Sequence, residues 1–203
     1  MDFINIFLHI DKTLITATAE YGVSIYIILF LIIFIETGIV AFPFLPGDSL
    51  LFAVGALSAV GSLDVRIVSI LLTVAAVSGD SVNYLLGKKF GERLFQDPNS
   101  KFFKKEYLDR TVEFYAMHGT KAVVAGRFFP VIRTFVPFVA GIGAMDYKKF
   151  IFYNIIGGII WVTVFLFAGF FFGNIPFVKD NFTLVVFGIV ILSILPAARK
   201  ALW

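Results

Sequence analysis

Long apolar stretches alternate with short polar segments along most of the 203-residue chain. Residues 22–38 and 65–86 are two such stretches, and each is predicted to be a membrane-spanning helix, because a bilayer requires about 20 apolar residues. A third stretch, residues 150–178, carries no charged side chain, and residues 182–195 form a fourth. The pattern therefore predicts an all-α polytopic membrane protein with four full transmembrane helices.

Two further apolar segments, residues 39–61 and residues 122–145, are interrupted near their middle. Proline and glycine break them, at Pro43, Pro46 and Gly47 in the first and at Pro130 and Pro137 in the second. Backbone groups freed at such breaks must be satisfied within the protein, because lipid cannot bond to them. Each segment is predicted to be a re-entrant helical hairpin whose backbone is exposed at the tip, and a single kinked span is the alternative.

The two broken segments repeat a common pattern. Phe42-Pro43 is followed by Ala53-Val54-Gly55, and Phe129-Pro130 is followed by Val139-Ala140-Gly141 at nearly the same distance. The repeat divides the chain into a first half, residues 22–86, and a second half, residues 122–198. With four full crossings in the chain, the first hairpin enters the membrane from outside and the second enters from inside. This inverted repeat is the arrangement that places a site at the midplane of many transporters.

The remaining segments set the predicted topology of a single membrane domain, residues 1–203. Residues 87–118 form a loop rich in Lys and Arg, which the positive-inside rule assigns to the cytoplasm, and residues 105–118 are predicted to form a short surface helix. Both termini then also lie in the cytoplasm. Residues 1–20 are weakly amphipathic, which favours an interfacial helix, with a frayed tail as the alternative.

Composition excludes several classes of function. The chain is 59% hydrophobic with a mean hydropathy of +0.93, and its net charge of +3 is too modest to indicate nucleic-acid binding. It has no cysteine, and its two histidines, His9 and His118, lie far apart. Neither hydrolase nor nucleotide-binding motifs occur. We therefore expect no enzyme, no cofactor and no metal site, and no cleavable signal peptide.

Four charged side chains lie in apolar, proline-broken surroundings: Glu36, Asp48, Arg127 and Arg133. Glu36 and Asp48 are the only charges in residues 22–63. Because a charge at membrane depth is costly unless paired, such residues are functional candidates by default. If the hairpin tips meet, Asp48 would lie near Arg133. The alternative is that these residues form ion pairs which only stabilise the fold.

The chemistry of each side chain suggests its role. Arg127 and Arg133 are the candidates for binding an anionic headgroup, because the planar guanidinium binds phosphate through two nitrogens. Glu36 and Asp48 are the candidates for proton coupling, or for pairing with the arginines when no ligand is bound. Asp80 is a possible accessory residue, although a polar residue near the membrane interface is the slightly favoured interpretation.

Several of these motifs together resemble the DedA family, the bacterial branch of the SNARE-associated (VTT-domain) membrane proteins. The resemblance covers roughly residues 22–173 and rests on the following motifs: Phe44-Leu45-Pro46-Gly47-Asp48, Gly126-Arg127-Phe128-Phe129-Pro130 with Arg133, and Phe150 and Asn154 with Gly157 and Trp161. It implies two opposed re-entrant hairpins and a requirement for Glu36, Asp48, Arg127 and Arg133 in activity.

The resemblance also implies lipid movement across the bacterial cytoplasmic membrane. Its best-defined bacterial form is the return of undecaprenyl phosphate, the cell-wall carrier lipid, to the inner leaflet, and eukaryotic relatives resemble phospholipid scramblases. The expected partners are therefore a membrane lipid and protons. A proton-coupled antiporter of cations or drugs, with the carboxylates as its site, is one alternative. A non-transport organiser that uses the hairpins for packing is another. The sequence does not predict an oligomeric state.

Overall fold

The computed structural model describes residues 22–39, 47–94 and 105–181, together with residues 184, 185 and 188. All regular structure within those ranges is helical. The helices, in chain order, are α1 (Ser24–Gly38), α2 (Gly47–Ala59), α3 (Val65–Leu94), α4 (Lys105–His118), α5 (Ala122–Gly126), α6 (Pro130–Val139), α7 (Tyr147–Phe172) and α8 (Pro176–Asp180). A 3₁₀ turn, Gly119–Lys121, precedes α5, and a π-helical turn, Ala140–Ala144, follows α6.

Two of the described helices are long and apolar enough to cross a membrane. They are α3, over Val65–Gly91, and α7, over Tyr147–Phe172. At 1.5 Å per residue, a helix of 26 residues spans about 39 Å, which exceeds the roughly 30 Å hydrocarbon core of a bilayer. Spanning helices were predicted at both places. Helix α1 also forms where predicted, but its 15 residues make it short for a crossing.

The predicted boundary at residue 86 is wrong, because α3 continues to Leu94. Gly87 was taken as the end of a span and the start of the basic loop. In the structure it lies inside the helix, where a Cβ atom would overlap the carbonyl of Phe138. The glycine therefore permits close helix packing rather than ending the helix. The predicted surface helix over residues 105–118 is confirmed as α4.

Several predicted features lie outside the described residues. They are the interfacial helix over residues 1–20, the first hairpin tip with Pro43 and Pro46, and most of the last span over residues 182–195. The segment from Asn174 to Asn181, which is described, contains the five-residue helix α8. The full scheme of four crossings and two re-entrant hairpins therefore stays a prediction.

Helix α2 lies at the centre of the molecule. Every residue from Gly47 to Ser58 is buried, and the helix packs against α7 while α1 packs against α3. A 13-residue helix that is buried all round is surrounded by protein rather than by lipid. That is the environment in which interrupted backbone is tolerated at membrane depth.

Glycines bring α2 and α7 into backbone contact. A Cβ atom on Gly55 would overlap the carbonyl of Leu166, and one on Gly169 would overlap the carbonyl of Phe52. Each helix thus supplies a glycine to receive the backbone of the other. A larger residue at either position would separate α2 from α7.

The second half repeats this contact with the roles exchanged. A Cβ atom on Gly141 would overlap the carbonyl of Tyr84, which reciprocates the contact of Gly87 with Phe138. Gly55 and Gly141 are the glycines that the sequence repeat places in register. The short helix of each half therefore packs against the long helix of the other half, so neither half contains its own complete core.

The second broken segment is confirmed as irregular. Helix α5 ends at Gly126, three non-helical residues follow, and α6 begins at Pro130. Pro137 lies inside α6 and removes one backbone donor from it. Beyond α6 the π-helical turn contains Gly143 at φ 123°, a conformation that favours glycine. Arg127 therefore lies at the break, and Arg133 lies one turn into α6.

Candidate functional site

Arg133 binds two carboxylates at once. One terminal nitrogen, Nη2, pairs with Glu36 Oε1, and the other, Nη1, donates to Asp48 Oδ1 at 3.0 Å. Glu36 lies near the end of α1 and is fully buried, whereas Asp48 lies in the first turn of α2 and is 8% exposed. The guanidinium therefore joins three helices from both halves, and we call these residues the Arg133 cluster.

Glu36 also binds the N-terminus of α2. The backbone N–H of Gly47 donates to Glu36 Oε1 at 2.9 Å, and the positive end of a helix dipole favours a carboxylate there. A Cβ atom on Gly47 would overlap the Glu36 carboxylate. Gly47 was predicted to act through its backbone, and here its amide donates while its missing side chain leaves room for the acid.

Arg127 forms a second cluster with different ligands. Its Nη2 donates to Asp80 of α3 and to the side-chain oxygen of Asn154 on α7. The amide of Asn154 is oriented by its own bond to the carbonyl of Val77, at 3.0 Å. A Cβ atom on Gly157 would lie only 3.1 Å from Cδ of Arg127, so this glycine lets the arginine lie against α7. We call Arg127, Asp80 and Asn154 the Arg127 cluster.

Trp161 of α7 contacts both clusters. Its indole Nε1 donates to Asp48 Oδ1 at 2.8 Å. The centroid of its ring lies 5.3 Å from Cζ of Arg133 and 6.0 Å from Cζ of Arg127. These distances are within the range of cation–π attraction. The side chain is 1% exposed, so the contacts form away from water.

Asn83 holds three helices together beside the clusters. Its amide nitrogen on α3 donates to the carbonyl of Thr37 on α1 at 3.1 Å and to that of Thr134 on α6 at 2.8 Å. The residue is fully buried. Because Thr37 follows Glu36 and Thr134 follows Arg133, Asn83 fixes the backbone on both sides of that ion pair.

A small cavity lies between the clusters, with room for about one water molecule. Six residues line it: Thr37, Asp80, Arg127, Arg133, Thr134 and Trp161. A phosphate group does not fit such a volume. The arrangement is therefore closed, and any anion that reached the two arginines would have to displace the carboxylates from them.

The structure determines which carboxylate pairs with which arginine, a question that the sequence left open. The expected meeting of Asp48 and Arg133 is confirmed, and Glu36 shares the same arginine. The favoured interpretation of Asp80 from the sequence, a polar residue at the membrane interface, does not account for its contacts, because it is 5% exposed and is the partner of Arg127. Its position close to the basic loop gave no sign of this contact.

Asn83, Asn154 and Trp161 were not recognised as site residues from the sequence alone. Asn154 is the only polar amide between Phe150 and Gly173, and that isolation in an apolar helix was the available signal. Trp161 belongs to the motif that carries the family resemblance, but nothing in the sequence assigns it a role, because tryptophan is ordinary in apolar helices. Within the described residues no group of three or more His, Cys, Asp or Glu side chains is arranged to hold a metal ion.

Charges within the two clusters do not balance. Among the described residues, three carboxylates, those of Glu36, Asp48 and Asp80, face two guanidinium groups, so one negative charge is in excess within this set when all are ionised. Burial of an uncompensated charge is expensive. The arrangement therefore favours uptake of one proton or one cation.

Comparison with known protein sequences places this chain in a family. A family model described as the VTT domain matches residues 45–171. Protein DedA of Escherichia coli K12 is 54% identical over 198 residues, covering 97% of this chain and 89% of the relative. An uncharacterized membrane protein of Mycobacterium leprae is 43% identical over 173 residues, covering 84% and 76%. Inner membrane protein YqjA of Escherichia coli K12 is 35% identical over 152 residues, covering 75% and 69%.

The molecule is thus a helical membrane protein with paired charges in its interior. It belongs to the DedA family of VTT-domain membrane proteins. The VTT match contains both arginines together with Asp48 and Asp80, whereas Glu36 lies before it. No solved structure matches the chain.

Proposed function

We propose that this protein moves a phosphate-bearing lipid, undecaprenyl phosphate, across the bacterial cytoplasmic membrane. Two interior arginines, each paired with at least one carboxylate that a headgroup phosphate could replace, are the observation that carries the proposal. The lipid tail remains in the bilayer while the headgroup binds between Arg127 and Arg133. The names of the relatives specify a membrane protein and leave the lipid to experiment.

The proposal includes a topology. The chain crosses the membrane four times, with both termini in the cytoplasm and two opposed re-entrant hairpins that meet at the Arg133 cluster. The buried position of α2 and the reciprocal packing of each short helix on the long helix of the other half support this arrangement. Cysteine scanning of the naturally cysteine-free chain, with membrane-impermeant reagents, tests it.

Protons complete the proposed cycle. When a phosphate replaces one of the two carboxylates on Arg133, that carboxylate loses its cation, and its protonation removes the charge that would otherwise be left buried. Release of the headgroup then returns that carboxylate to the arginine as the proton leaves. The excess of one carboxylate over the arginines supports this coupling.

Transport of labelled undecaprenyl phosphate into proteoliposomes tests the proposal. Wild type is compared with Arg133→Ala and Asp48→Asn, with and without a proton gradient. Movement that responds to the gradient and is lost in both variants is the expected result. If folded wild-type protein moves no undecaprenyl phosphate, the substrate assignment is wrong, and phospholipid scrambling is the next assay.

Arg133→Lys tests the clamp itself. The two carboxylates of the Arg133 cluster bind different terminal nitrogens, and a lysine has one nitrogen in place of two. We expect the variant to keep its charge and lose most transport. Full activity would count against a bidentate phosphate clamp.

The charge excess also favours a second candidate, a proton-coupled antiporter of cations or drugs. In that function the three carboxylates form the cation site and the arginines are structural partners. Acid-loaded vesicles whose internal pH responds to added cations without any substrate lipid would support the antiporter. An absence of that response, with lipid movement intact, supports the flippase.

A further inference from the structure

Trp161 links two ion clusters that draw their ligands from different helices. Glu36 and Asp48 belong to α1 and α2, whereas Asp80 and Asn154 belong to α3 and α7. The indole N–H bonds to the first cluster, and the indole ring lies near the guanidinium groups of both. A purely packing role would need neither the N–H nor the position between two cations.

The carboxylate of Asp48 receives two donors on the same oxygen. Arg133 Nη1 lies 3.0 Å from Oδ1, and Trp161 Nε1 lies 2.8 Å from it. Indole is a donor that never changes its charge, since its nitrogen carries one hydrogen and no lone pair for a proton. Trp161 therefore continues to support Asp48 when Arg133 binds something else.

We propose that Trp161 is a positioning residue of the headgroup site, which rests on the proposed lipid-phosphate function. Its N–H holds Asp48 in place while Arg133 exchanges that carboxylate for the phosphate of the ligand. Its ring attracts both guanidinium groups and keeps them directed at the same small cavity. Trp161 thus lowers the free energy needed to open the closed cluster to an anionic headgroup.

Loss of the N–H alone should weaken headgroup binding. Trp161→Phe retains an aromatic ring and removes the donor, so Asp48 is less well supported once Arg133 has left it. A hydrogen bond to a charged group is worth enough to predict a decrease of roughly tenfold or more in affinity. In an Asp48→Asn background the carboxylate is absent, and Trp161→Phe should then cause little further loss of affinity.

A double-mutant cycle measures the coupling between Trp161 and Asp48, with the affinity for farnesyl phosphate as the measured quantity. Calorimetry on the full-length protein in detergent compares wild type, Trp161→Phe, Asp48→Asn and the double variant. Phe165→Leu is the matched control, because Phe165 contacts the ring of Trp161 edge-on at 6.4 Å between centroids. It should bind like wild type. Wild-type affinity in Trp161→Phe, or fully additive effects in the double variant, would overturn the proposal.

A second measurement needs no ligand. The chain has two tryptophans, so Trp203→Phe leaves Trp161 as the only source of indole fluorescence. The carboxylates near the indole are Asp48 on α2, Glu36 on α1 and Asp80 on α3, with Arg133 on α6 and Arg127 after α5 as the neighbouring cations. We expect a change of emission with pH whose largest component disappears in Asp48→Asn.

The two measurements separate the positioning role from the proposed function. If the emission depends on Asp48 but wild type does not bind farnesyl phosphate, the lipid-phosphate function fails and the support of Asp48 by Trp161 stands. If Asp48→Asn leaves the emission profile unchanged, Trp161 does not report or position that carboxylate. The inference is then wrong, whatever the protein transports.

Discussion

The two arginines of the interior are neutralised in different ways. Arg133 faces two carboxylates, whereas Arg127 faces one carboxylate and the oxygen of Asn154. The Arg127 cluster is therefore balanced, and its amide is oriented by the backbone of α3. The Arg133 cluster has a carboxylate to spare. An arginine is thus held by a balanced set of partners in one cluster and can exchange one of its partners in the other.

This difference assigns separate tasks to the clusters. Protonation of the carboxylate in a balanced pair would leave the arginine without a counter-charge. An arginine with two carboxylates can lose one of them to protonation and remain paired with the other. We therefore expect the Arg133 cluster to exchange its carboxylates more readily during transport than the Arg127 cluster, which also links α3 to α7.

Removal of each arginine should have the largest effect on stability. Removing one partner of a buried pair costs about 3–5 kcal/mol, because it leaves an uncompensated charge. Arg127→Ala leaves one carboxylate in that state, and Arg133→Ala leaves two. We expect both variants to unfold more readily than wild type, with Arg133→Ala the less stable. Unfolding in mixed detergent, titrated with dodecyl sulfate, measures the free energies.

Arg66→Ala provides the control for the arginine variants. Arg66 is exposed near the start of α3, and surface substitutions usually change stability by about 0.5 kcal/mol or less. If Arg127→Ala lowers the free energy of unfolding as much as Arg133→Ala, the number of carboxylates left unpaired does not determine the loss of stability.

Neutralisation of a single carboxylate should lower the free energy of unfolding by different amounts in the two clusters. Asp80→Asn leaves Arg127 with amide partners only, and we expect a loss near 3 kcal/mol. Glu36→Gln leaves Arg133 paired with Asp48, and its side-chain oxygen can still accept from Gly47, so we expect a loss of about 1 kcal/mol or less. The same detergent titration checks both, and equal losses would contradict the distinction between a balanced and an overcompensated cluster.

Conversion of Asn154 to aspartate should make the Arg127 cluster resemble the Arg133 cluster. The new carboxylate gives Arg127 two acids but cannot donate to the carbonyl of Val77, so its second oxygen faces another acceptor. A buried acceptor left without a donor costs about 1–3 kcal/mol. We expect Asn154→Asp to be less stable by that amount at neutral pH. The loss should shrink in acid, because a protonated carboxyl donates again.

Asn181→Asp is the matched control for that variant. The amide of Asn181 also donates to a backbone carbonyl at 3.0 Å, that of Phe177, but the bond is exposed to solvent. We expect a change of about 0.5 kcal/mol or less, because water can replace the lost donor. Similar losses in both variants would mean that burial of the Asn154 contact contributes little.

The residues that could be found from the sequence were those with unusual surroundings. Glu36, Asp48, Arg127 and Arg133 are charges in apolar segments, and membrane burial makes such residues costly enough to be noticed. Asp80 could not be evaluated in this way, because it lies one or two turns before a basic segment. Only the contact with Arg127, 47 residues later, reveals its burial.

In the fold, too, features with a local sequence pattern could be predicted, and contacts between distant residues could not. Periodicity and composition predict helices α1, α3, α4 and α7, because each is a long apolar or amphipathic run. The role predicted for Gly87 was wrong, because the sequence does not distinguish a glycine that ends a helix from one that packs against a neighbouring backbone. Trp161 and Asn83 act through partners that are distant in sequence, and no local pattern specifies such partners.

The reciprocal packing of the two halves also orders events during synthesis. Asp48 is incorporated 85 residues before Arg133 and 113 residues before Trp161. At about 5–20 residues per second, Asp48 waits roughly 4–17 s for its arginine and 6–23 s for its indole. Throughout that interval α2 has no α7 to cover it. Closure of the interior ion pairs is therefore a late step, which cannot precede synthesis of the second half.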